Sequence, residues 1–237
     1  MLRDAVACST AAHFLPTQMR RRVLRRRIWV LRETSRNPQS SYSVADLDRH
    51  RCIFFHIPKT AGVAVSQALF GSLAAGHLDV ATAKAVFGPI SFQRYFKFCF
   101  VRNPWDRLVS AYHYLQDGGM ERQVSPWTAQ YLAPHDDFQS FVLRGLQTDP
   151  VLEERHFRPQ YQYVSDSSAR VRVDFVGRFE NLNRDFELVA GRLGIEATLP
   201  QLNVSARGDY HGYYDEETAR IVADVYERDI TLFGYDF

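Results

Sequence analysis

Two apolar runs, each followed by a short polar loop and then a helix-like pattern, constrain the fold of this chain more than any other feature. The first run is Cys52-Ile-Phe-Phe-His-Ile57 and the second is Lys97-Phe-Cys-Phe-Val101. Short aromatic and β-branched runs of this kind are typical of strands buried on both faces of a parallel sheet. We therefore predict an α/β protein with three layers, in which helices flank a central parallel sheet.

The loop after the first run has the composition of an anion-binding site. Pro58 ends the strand pattern, and Val63 begins a helix whose first amides carry a partial positive charge and attract anions. Lys59 adds a full charge, Thr60 adds a hydroxyl donor, and Gly62 lets the backbone approach a ligand. The Gly-x-x-x-x-Gly-Lys-Ser/Thr order of a Walker A loop is missing, which disfavours an ordinary kinase or ATPase. Taken alone, the loop is equally typical of a tight turn with an exposed lysine.

The loop after the second run contains a second candidate anion-binding site. Asn103 and Pro104 are typical of a helix start, which places Arg102 at the end of the strand and Ser110 about two turns into the helix. An arginine and a hydroxyl suit a phosphate group. Because ligands collect at the carboxyl ends of parallel strands, the two loops can hold two separated phosphates of one nucleotide. The alternative is that Arg102 and Asp106 simply pair with each other at the surface.

At these residues the chain resembles the sulfotransferase family 2 and the carbohydrate sulfotransferases, particularly the heparan sulfate 2-O- and chondroitin-type enzymes. His56-Ile-Pro-Lys-Thr-Ala-Gly62 is similar to their 5′-phosphosulfate loop, and the segment 100–112 to their 3′-phosphate motif. The similarity continues in His156-Phe-Arg-Pro-Gln160 and in the segments 173–182, 202–205 and 233–235, so it covers residues 50–237 in order.

The resemblance implies a P-loop-like fold and a transferase that uses 3′-phosphoadenosine 5′-phosphosulfate (PAPS) as cosubstrate, without a metal. Such an enzyme moves a sulfuryl group by in-line displacement to a hydroxyl of a glycan or of another hydroxylated acceptor. The residues expected to bind the nucleotide are Lys59, Thr60, Ala61, Gly62, Val63, Ala64, Arg102 and Ser110. Family members often carry Thr and Ser where this chain has Val63 and Ala64, so backbone amides must replace two hydroxyl donors. We expect weaker, but not abolished, binding there.

Sulfuryl transfer needs a base for the acceptor hydroxyl and a cation at the leaving group. Lys59 suits the second task. His77 in Gly76-His77-Leu78 is the predicted base, because it lies between the two loops and resembles the Gly-His segment that supplies the base in related enzymes. A loop histidine without a role is the alternative, and His56 is better suited to packing or to orienting a phosphate.

Residues for the acceptor are expected in the long polar and aromatic segments that follow the second loop. Arg155, Arg158 and Gln160 are predicted to bind an acidic or hydroxylated sugar, and Asn203, Ser205 and Arg207 to contact nucleotide or acceptor. For each of these six residues a structural hydrogen bond is an equally good interpretation. Two other functions stay open, namely a kinase-like transferase of nucleotides or phosphosugars and a non-catalytic module that binds glycans or membranes.

Charge divides the 237-residue chain into two parts. Residues 1–50 hold ten Arg and four acidic residues, whereas the whole chain has a net charge of only +2. We predict a basic N-terminal extension over residues 1–49, helical or disordered, and a sulfotransferase domain over residues 50–237. The basic stretch Arg20–Arg32 predicts peripheral contact with an anionic membrane, although a disordered arm is the preferred alternative. No nucleic-acid partner is expected, and the sequence does not indicate an oligomeric state.

The cysteines and the N-terminus bear on localisation. Three cysteines without metal spacing favour a reducing compartment. The first 16 residues lack the apolar core of a secretory signal, and no run approaches a membrane span. Animal members of the family are usually Golgi membrane proteins, so these features predict a soluble bacterial enzyme in the cytoplasm or at the inner membrane face.

Hydrophobic periodicity places further elements. It predicts helices over residues 136–146 and 181–193, a late strand over residues 170–176, and a last helix that begins at Asp215.

Overall fold

Three strands end at the same edge of one parallel sheet, and two of them lead directly into the polar loops. The computed structural model describes residues 33, 35–37, 39–200 and 208–237; the basic stretch Arg20–Arg32 and the residues Asn203, Ser205 and Arg207 lie outside the described residues. Strands β1 (Cys52–Phe55), β2 (Phe96–Val101) and β3 (Phe175–Arg178) pair in that order, all parallel. The predicted α/β fold with a central parallel sheet is confirmed.

Helices connect and cover these strands. They are α1 (Ala45–Arg49), α2 (Gly62–Phe70), α3 (Val80–Arg94), α4 (Pro104–Gln116), α5 (Pro126–Tyr131), α6 (Phe138–Arg144), α7 (Asp149–Glu153), α8 (Tyr161–Val164), α9 (Leu182–Leu193), α10 (Glu216–Val225) and α11 (Glu227–Phe233). Helix α2 follows β1 and helix α4 follows β2. Both therefore begin at the carboxyl edge of the sheet.

Local sequence explains how the helices near this edge begin. Asn103 accepts a hydrogen bond from the Trp105 amide at the start of α4, as its predicted capping role requires. Asp79 caps α3 in the same way through the Thr82 amide. Helix α3 is kinked at Gly88, whose φ of 77° lies outside the helical region.

The core has two parts. One surrounds β1 and β2, whose residues from Cys52 to Phe55 and from Phe98 to Val101 are fully buried, with the rings of Phe54 and Phe98 stacked 4.8 Å apart. The other lies between α4, α6 and α10. Val44 and Leu47, which belong to the predicted N-terminal extension, are also fully buried in the first part. The packed unit therefore begins before residue 50.

Two predicted elements differ in the structure. The late strand begins at Phe175 rather than at residue 170, because the Asp174 carboxylate instead of a backbone carbonyl accepts from the Lys97 amide. The last helix is divided at Tyr226, whose hydroxyl donates to the carbonyl of Phe157. Helices over 138–144 and 182–193 confirm the other two predictions within a few residues.

Candidate active site

The loop between β1 and α2 is a tight turn with two non-glycine residues in the left-handed region. Lys59 has φ of 71° and Ala61 has φ of 64°. Each such residue costs about 1 kcal/mol, so the surrounding contacts must stabilise the turn. Thr60 is fully buried and its hydroxyl donates to the carbonyl of Ile57 at 2.9 Å. This hydroxyl therefore holds the turn together and is already engaged within the protein.

The backbone amides at the start of α2 lie at the carboxyl edge and receive no side-chain cap. Ala61 stands at the N-cap position and has no polar side chain that could accept from them, and the first turn contains no acidic residue. Val63 is 46% exposed and Ala64 is half-buried. The end of α2 thus has the electrostatic character of an anion site built from backbone donors.

Gly62 leaves room for a histidine ring. A Cβ atom built on Gly62 would lie 1.9 Å from Cδ2 and 2.3 Å from Nε2 of His56. The His56 ring is buried and stacked on Phe54, and its Nδ1 has no hydrogen-bond partner among the described residues. The His56 ring is therefore sufficient to explain why position 62 requires glycine.

Arg102 connects the two loops. Its Nη1 donates to the carbonyl of Lys59 at 3.1 Å, and its Nε donates to Asp106 at 2.7 Å. The guanidinium also lies 3.9 Å from the centre of the Phe179 ring. The surface pair with Asp106 considered above does form, but it is largely buried and coexists with the contact to the first loop. Ser110 is half-buried two turns along α4.

Arg107 holds three segments together beneath the loops. This fully buried residue donates to the carbonyls of Pro58 at 3.1 Å, His156 at 3.0 Å and Arg158 at 2.9 Å. The first loop and the segment 156–158 are thereby fixed relative to α4.

His77 lies beside the first loop in a defined orientation. Its Nδ1 is 2.8 Å from the carbonyl oxygen of His56, and because a carbonyl can only accept, Nδ1 carries the proton and Nε2 keeps its lone pair. Burial lowers the pKa of His77 to about 4, and the positive potential of His156, Arg155 and Arg107 acts in the same direction. His77 is therefore neutral near pH 7.

A third histidine completes this corner of the molecule. The His156 ring lies 6.4 Å from that of His77, and its Nδ1 is 2.9 Å from a carboxylate oxygen of Glu154. The ring of Tyr114 lies between it and Lys59, 5.1 Å from His156 and 3.8 Å from the Lys59 ammonium. Among the described residues, no group of His, Cys, Asp and Glu side chains has the arrangement of a metal site.

The three residues predicted to bind the acceptor occupy different environments. The Arg155 side chain is 59% exposed, and its positive charge lowers the pKa of His77 and of His156. Arg158 instead donates to Gln162 at 2.8 Å and pairs with Asp79 at 3.4 Å.

Gln160 is a correction to the sequence-based prediction. It is fully buried, and its amide bonds both the N–H and the carbonyl of Arg102, at 3.0 and 2.8 Å. A side chain that satisfies a neighbouring backbone in the interior is a structural element rather than a substrate ligand.

A family model described as the sulfotransferase family matches residues 82–236. The chain belongs to the sulfotransferase family. The matched region includes the Arg102 loop, Ser110 and the segment around His156, whereas Lys59 and His77 precede it.

Individual relatives of this sulfotransferase agree with that assignment. Carbohydrate sulfotransferase 14 of Mus musculus is 30% identical over 165 residues, which cover 58% of this chain and 43% of the mouse protein. Its Danio rerio counterpart is 24% identical over 197 residues, with 70% and 52% coverage. An uncharacterized protein of Archaeoglobus fulgidus is 29% identical over 120 residues, with 50% and 85% coverage. The chain thus spans about half the length of the carbohydrate sulfotransferases it matches.

Among solved structures, a sulfotransferase from Alicyclobacillus acidocaldarius aligns over 84% of this chain and 94% of its own, at 18% identity and a TM-score of 0.27.

The predicted cytoplasmic location of this sulfotransferase is wrong by the same comparisons. The carbohydrate sulfotransferase 14 relatives are Golgi membrane enzymes and not cytoplasmic ones, which contradicts the prediction of a cytoplasmic enzyme. Within residues 39–200 and 208–237, no helix is both long and apolar enough to cross a membrane.

Several residues of the candidate site were not found from the sequence. Arg107 was overlooked because a buried arginine that binds carbonyls leaves no local pattern, although it lies inside the segment 100–112 that carries the family resemblance. Tyr114 and Glu154 reach the site only through the packing of α4 against the segment 154–158. The i, i+2 spacing of Glu154 and His156 was the one available signal for their contact.

Proposed function

We propose that this sulfotransferase moves the sulfuryl group of PAPS to a hydroxyl of a glycan. The observation that supports this most directly is the hydrogen bond from Arg102 to the Lys59 carbonyl, which joins both loops at one edge of the sheet. Two anion-binding loops that are held together in this way suit a ligand with two phosphates. We further propose residues 50–237 as the sulfotransferase domain, with Val44 and Leu47 contributing to its core.

The two loops divide the nucleotide between them in this proposal. The amides of Gly62, Val63 and Ala64, together with the turn of Lys59 to Ala61, hold the 5′-phosphosulfate. The start of α4 is unsuited to that task, since Asn103 caps it and Asp106 lies in its first turn. Arg102 and Ser110 hold the 3′-phosphate, for which a guanidinium and a hydroxyl supply directional donors.

Lys59 and His77 carry the chemistry. When bound, PAPS supplies the sulfuryl group that is transferred. Lys59 stabilises negative charge on the departing oxygen, and its position over Tyr114 places the ammonium within the same corner as the histidines. His77 accepts the proton of the acceptor hydroxyl at Nε2, which the contact of Nδ1 with His56 leaves as the basic nitrogen.

The acceptor contacts Arg155 in this arrangement. Its side chain is 59% exposed and lies 3.8 Å from Glu154, whereas Arg158 is largely buried beside Asp79 and Gln160 is fully buried. A glycan is the proposed acceptor class because the vertebrate relatives are carbohydrate sulfotransferases.

The proposal is tested first by binding. Titration calorimetry with PAP, the desulfated nucleotide, is expected to show metal-independent binding that Lys59→Ala and Arg102→Gln each weaken about 10-fold to 100-fold, as the loss of a charge-assisted hydrogen bond predicts. Lys84→Ala and Arg144→Gln are matched controls, because both side chains lie at the surface in long ion pairs of 4.0 and 3.9 Å. Unchanged PAP affinity in Lys59→Ala and Arg102→Gln would overturn the assignment of the two loops.

Transfer is tested separately. Labelled PAPS is incubated with a panel of desulfated glycosaminoglycans, and product is followed by incorporation of the label. His77→Ala is expected to abolish transfer while retaining PAP binding. Near-normal turnover of this variant removes His77 from the role of base, and binding of ATP with Mg²⁺ instead of PAP would favour a kinase-like transferase.

A further inference from the structure

Glu154 and His156 form a carboxylate–imidazole pair at the edge of the proposed site. Nδ1 of His156 lies 2.9 Å from Oε1 of Glu154, the imidazole side chain is 7% exposed and the carboxylate side chain is 23% exposed. Burial opposes ionisation of Glu154. The hydrogen bond and the charge of His156, together with the charge of Arg155 at 3.8 Å from the same oxygen, bring the pKa of this carboxylate below its usual value. An ionised carboxylate can only accept, so Nδ1 of His156 carries the proton and Nε2 its lone pair.

Two imidazoles with the same tautomer therefore lie side by side, held by different partners. A backbone carbonyl orients His77, whereas a full negative charge orients His156. Their ring centres are 6.4 Å apart in an edge-to-face arrangement. His77 is thus suited to accept a proton first, and His156 to accept it second, because the Glu154 carboxylate compensates the charge of its imidazolium.

We propose, on the basis of the proposed function, that His156 receives from His77 the proton that is removed from the acceptor hydroxyl, and that Glu154 is the positioning residue for this relay. In the first step the O–H bond of the acceptor breaks and an N–H bond forms at Nε2 of His77. The acceptor oxygen bonds to sulfur as the bond from sulfur to the bridging phosphate oxygen breaks, and that oxygen leaves with the electron pair as part of PAP. In the second step that N–H bond breaks and one forms at Nε2 of His156. The transferred positive charge then lies beside the carboxylate of Glu154.

The surrounding charges favour this direction of transfer. Burial lowers the pKa of both imidazoles. The hydrogen bond to the His56 carbonyl raises the pKa of His77 in part, whereas the positive potential of His156, Arg155 and Arg107 lowers it further. His156 faces Lys59 and Arg155 as well, but its hydrogen bond to Glu154 and the carboxylate charge raise its pKa and offset part of that effect. An imidazolium is thus less unfavourable at His156 than at His77.

The tautomers and the order of basicity can be measured without any substrate. Long-range ¹H–¹⁵N correlation spectra of the full chain, recorded against pH, are expected to show protonated Nδ1 in both neutral rings and a higher pKa at His156 than at His77. Glu154→Gln is expected to lower the pKa of His156, because the imidazolium loses its counter-charge. A protonated Nε2 on neutral His156, or a higher pKa at His77, would overturn the relay.

Kinetics separate a relay from a purely structural pair. With PAPS and the glycan that the wild-type protein sulfates, Glu154→Gln is expected to lower plateau kcat about 10-fold or more at unchanged KM. The acid limb of the pH profile should move to lower pH, because the variant's His156 loses its proton more readily. Glu153→Gln, the same substitution at the exposed neighbouring position, is expected to match the wild type.

Failure of this inference is distinguishable from failure of the proposed function. Absence of transfer by the wild-type protein contradicts the proposed function and leaves the spectroscopic test of the pair decisive. Normal transfer by the wild type, together with an unshifted pH profile and unchanged kcat in Glu154→Gln, overturns the relay alone. If Glu154→Gln instead lowers the melting temperature and raises KM without shifting the pH profile, Glu154 and His156 have a structural role. That outcome likewise overturns the relay.

Discussion

Replacing Gly62 with Ala tests whether this glycine serves the protein's own histidine or a bound ligand. The added Cβ atom would lie 1.9 Å from the His56 ring. That ring has little freedom to retreat, because it is buried, parallel to Phe54 at 5.6 Å and only 4.3 Å from the ring of His77. The substitution therefore overpacks the site, and it displaces the residue whose carbonyl orients His77.

The expected magnitude follows from two opposing contributions. Overpacking of a buried site costs about 1–3 kcal/mol, whereas alanine in a helix is favoured over glycine by up to about 1 kcal/mol. Gly62→Ala should therefore lower the free energy of unfolding by about 1–2 kcal/mol, with a fall in Tm of about 2–8 °C for a chain of this size. In a His56→Ala background the clash disappears, and the same substitution should be neutral or slightly stabilising. The coupling energy between the two positions is then about 1–3 kcal/mol.

Urea unfolding followed by circular dichroism gives this coupling from four proteins: wild type, each single variant and the double variant. Gly191→Ala in α9 is the matched control, since a Cβ atom there meets nothing within 4 Å, and it should gain up to about 1 kcal/mol. An equal cost of Gly62→Ala in both backgrounds would refute the steric argument. Unchanged stability with loss of PAP binding in both backgrounds would also refute it. That result would mean that a bound ligand, rather than His56, requires the glycine.

Three further predictions follow from other parts of the site and its support. Val63→Thr combined with Ala64→Ser restores two hydroxyl donors at the start of α2 and should tighten PAP binding about 5-fold or more by calorimetry, whereas unchanged affinity would mean that these positions do not face the phosphosulfate. Arg107→Met leaves three buried carbonyls without a donor and should lower the free energy of unfolding by about 3–5 kcal/mol in urea, against little change for the exposed control Arg144→Met. Burial raises the pKa of Asp229 to about 6, well above the ordinary value of an aspartate. Because the folded state then holds its proton more tightly than the unfolded state, stability relative to Asp229→Asn should fall by about 3 kcal/mol as pH rises from about 4 to 6, and a flat difference over that window would contradict the raised pKa.

The sheet and the two loops were predictable because their signals are local. Continuous apolar runs specify strands such as β1 that are buried on both faces, and Asn103 with Pro104 marks a helix start whatever the helix packs against. The late strand failed for the opposite reason. Its apolar pattern covers residues 170–176, but residue pairing with β2 begins only at Phe175, because the Asp174 carboxylate accepts from the Lys97 amide.

The candidate site divides in the same way. Lys59, Arg102 and His77 follow from sequence position, since each lies in or beside a loop at the carboxyl edge. The placement of Gln160 does not, because its pairing with the backbone of Arg102 joins residues 58 apart in the chain. The roles of Arg107 and Glu154 likewise depend on distant segments, which no single window of sequence contains.

The hydrogen bond between Arg102 and the Lys59 carbonyl has a thermodynamic consequence for inhibitors. Since one guanidinium contacts both loops, the proposed function predicts that occupancy of one half of the site alters the conformational freedom of the other. Fragments that carry a single phosphate should therefore bind with affinities whose free energies do not sum to that of the intact bisphosphate. Mimics of the nucleotide gain most when a rigid linker fixes both anionic groups at the separation that Arg102 already maintains.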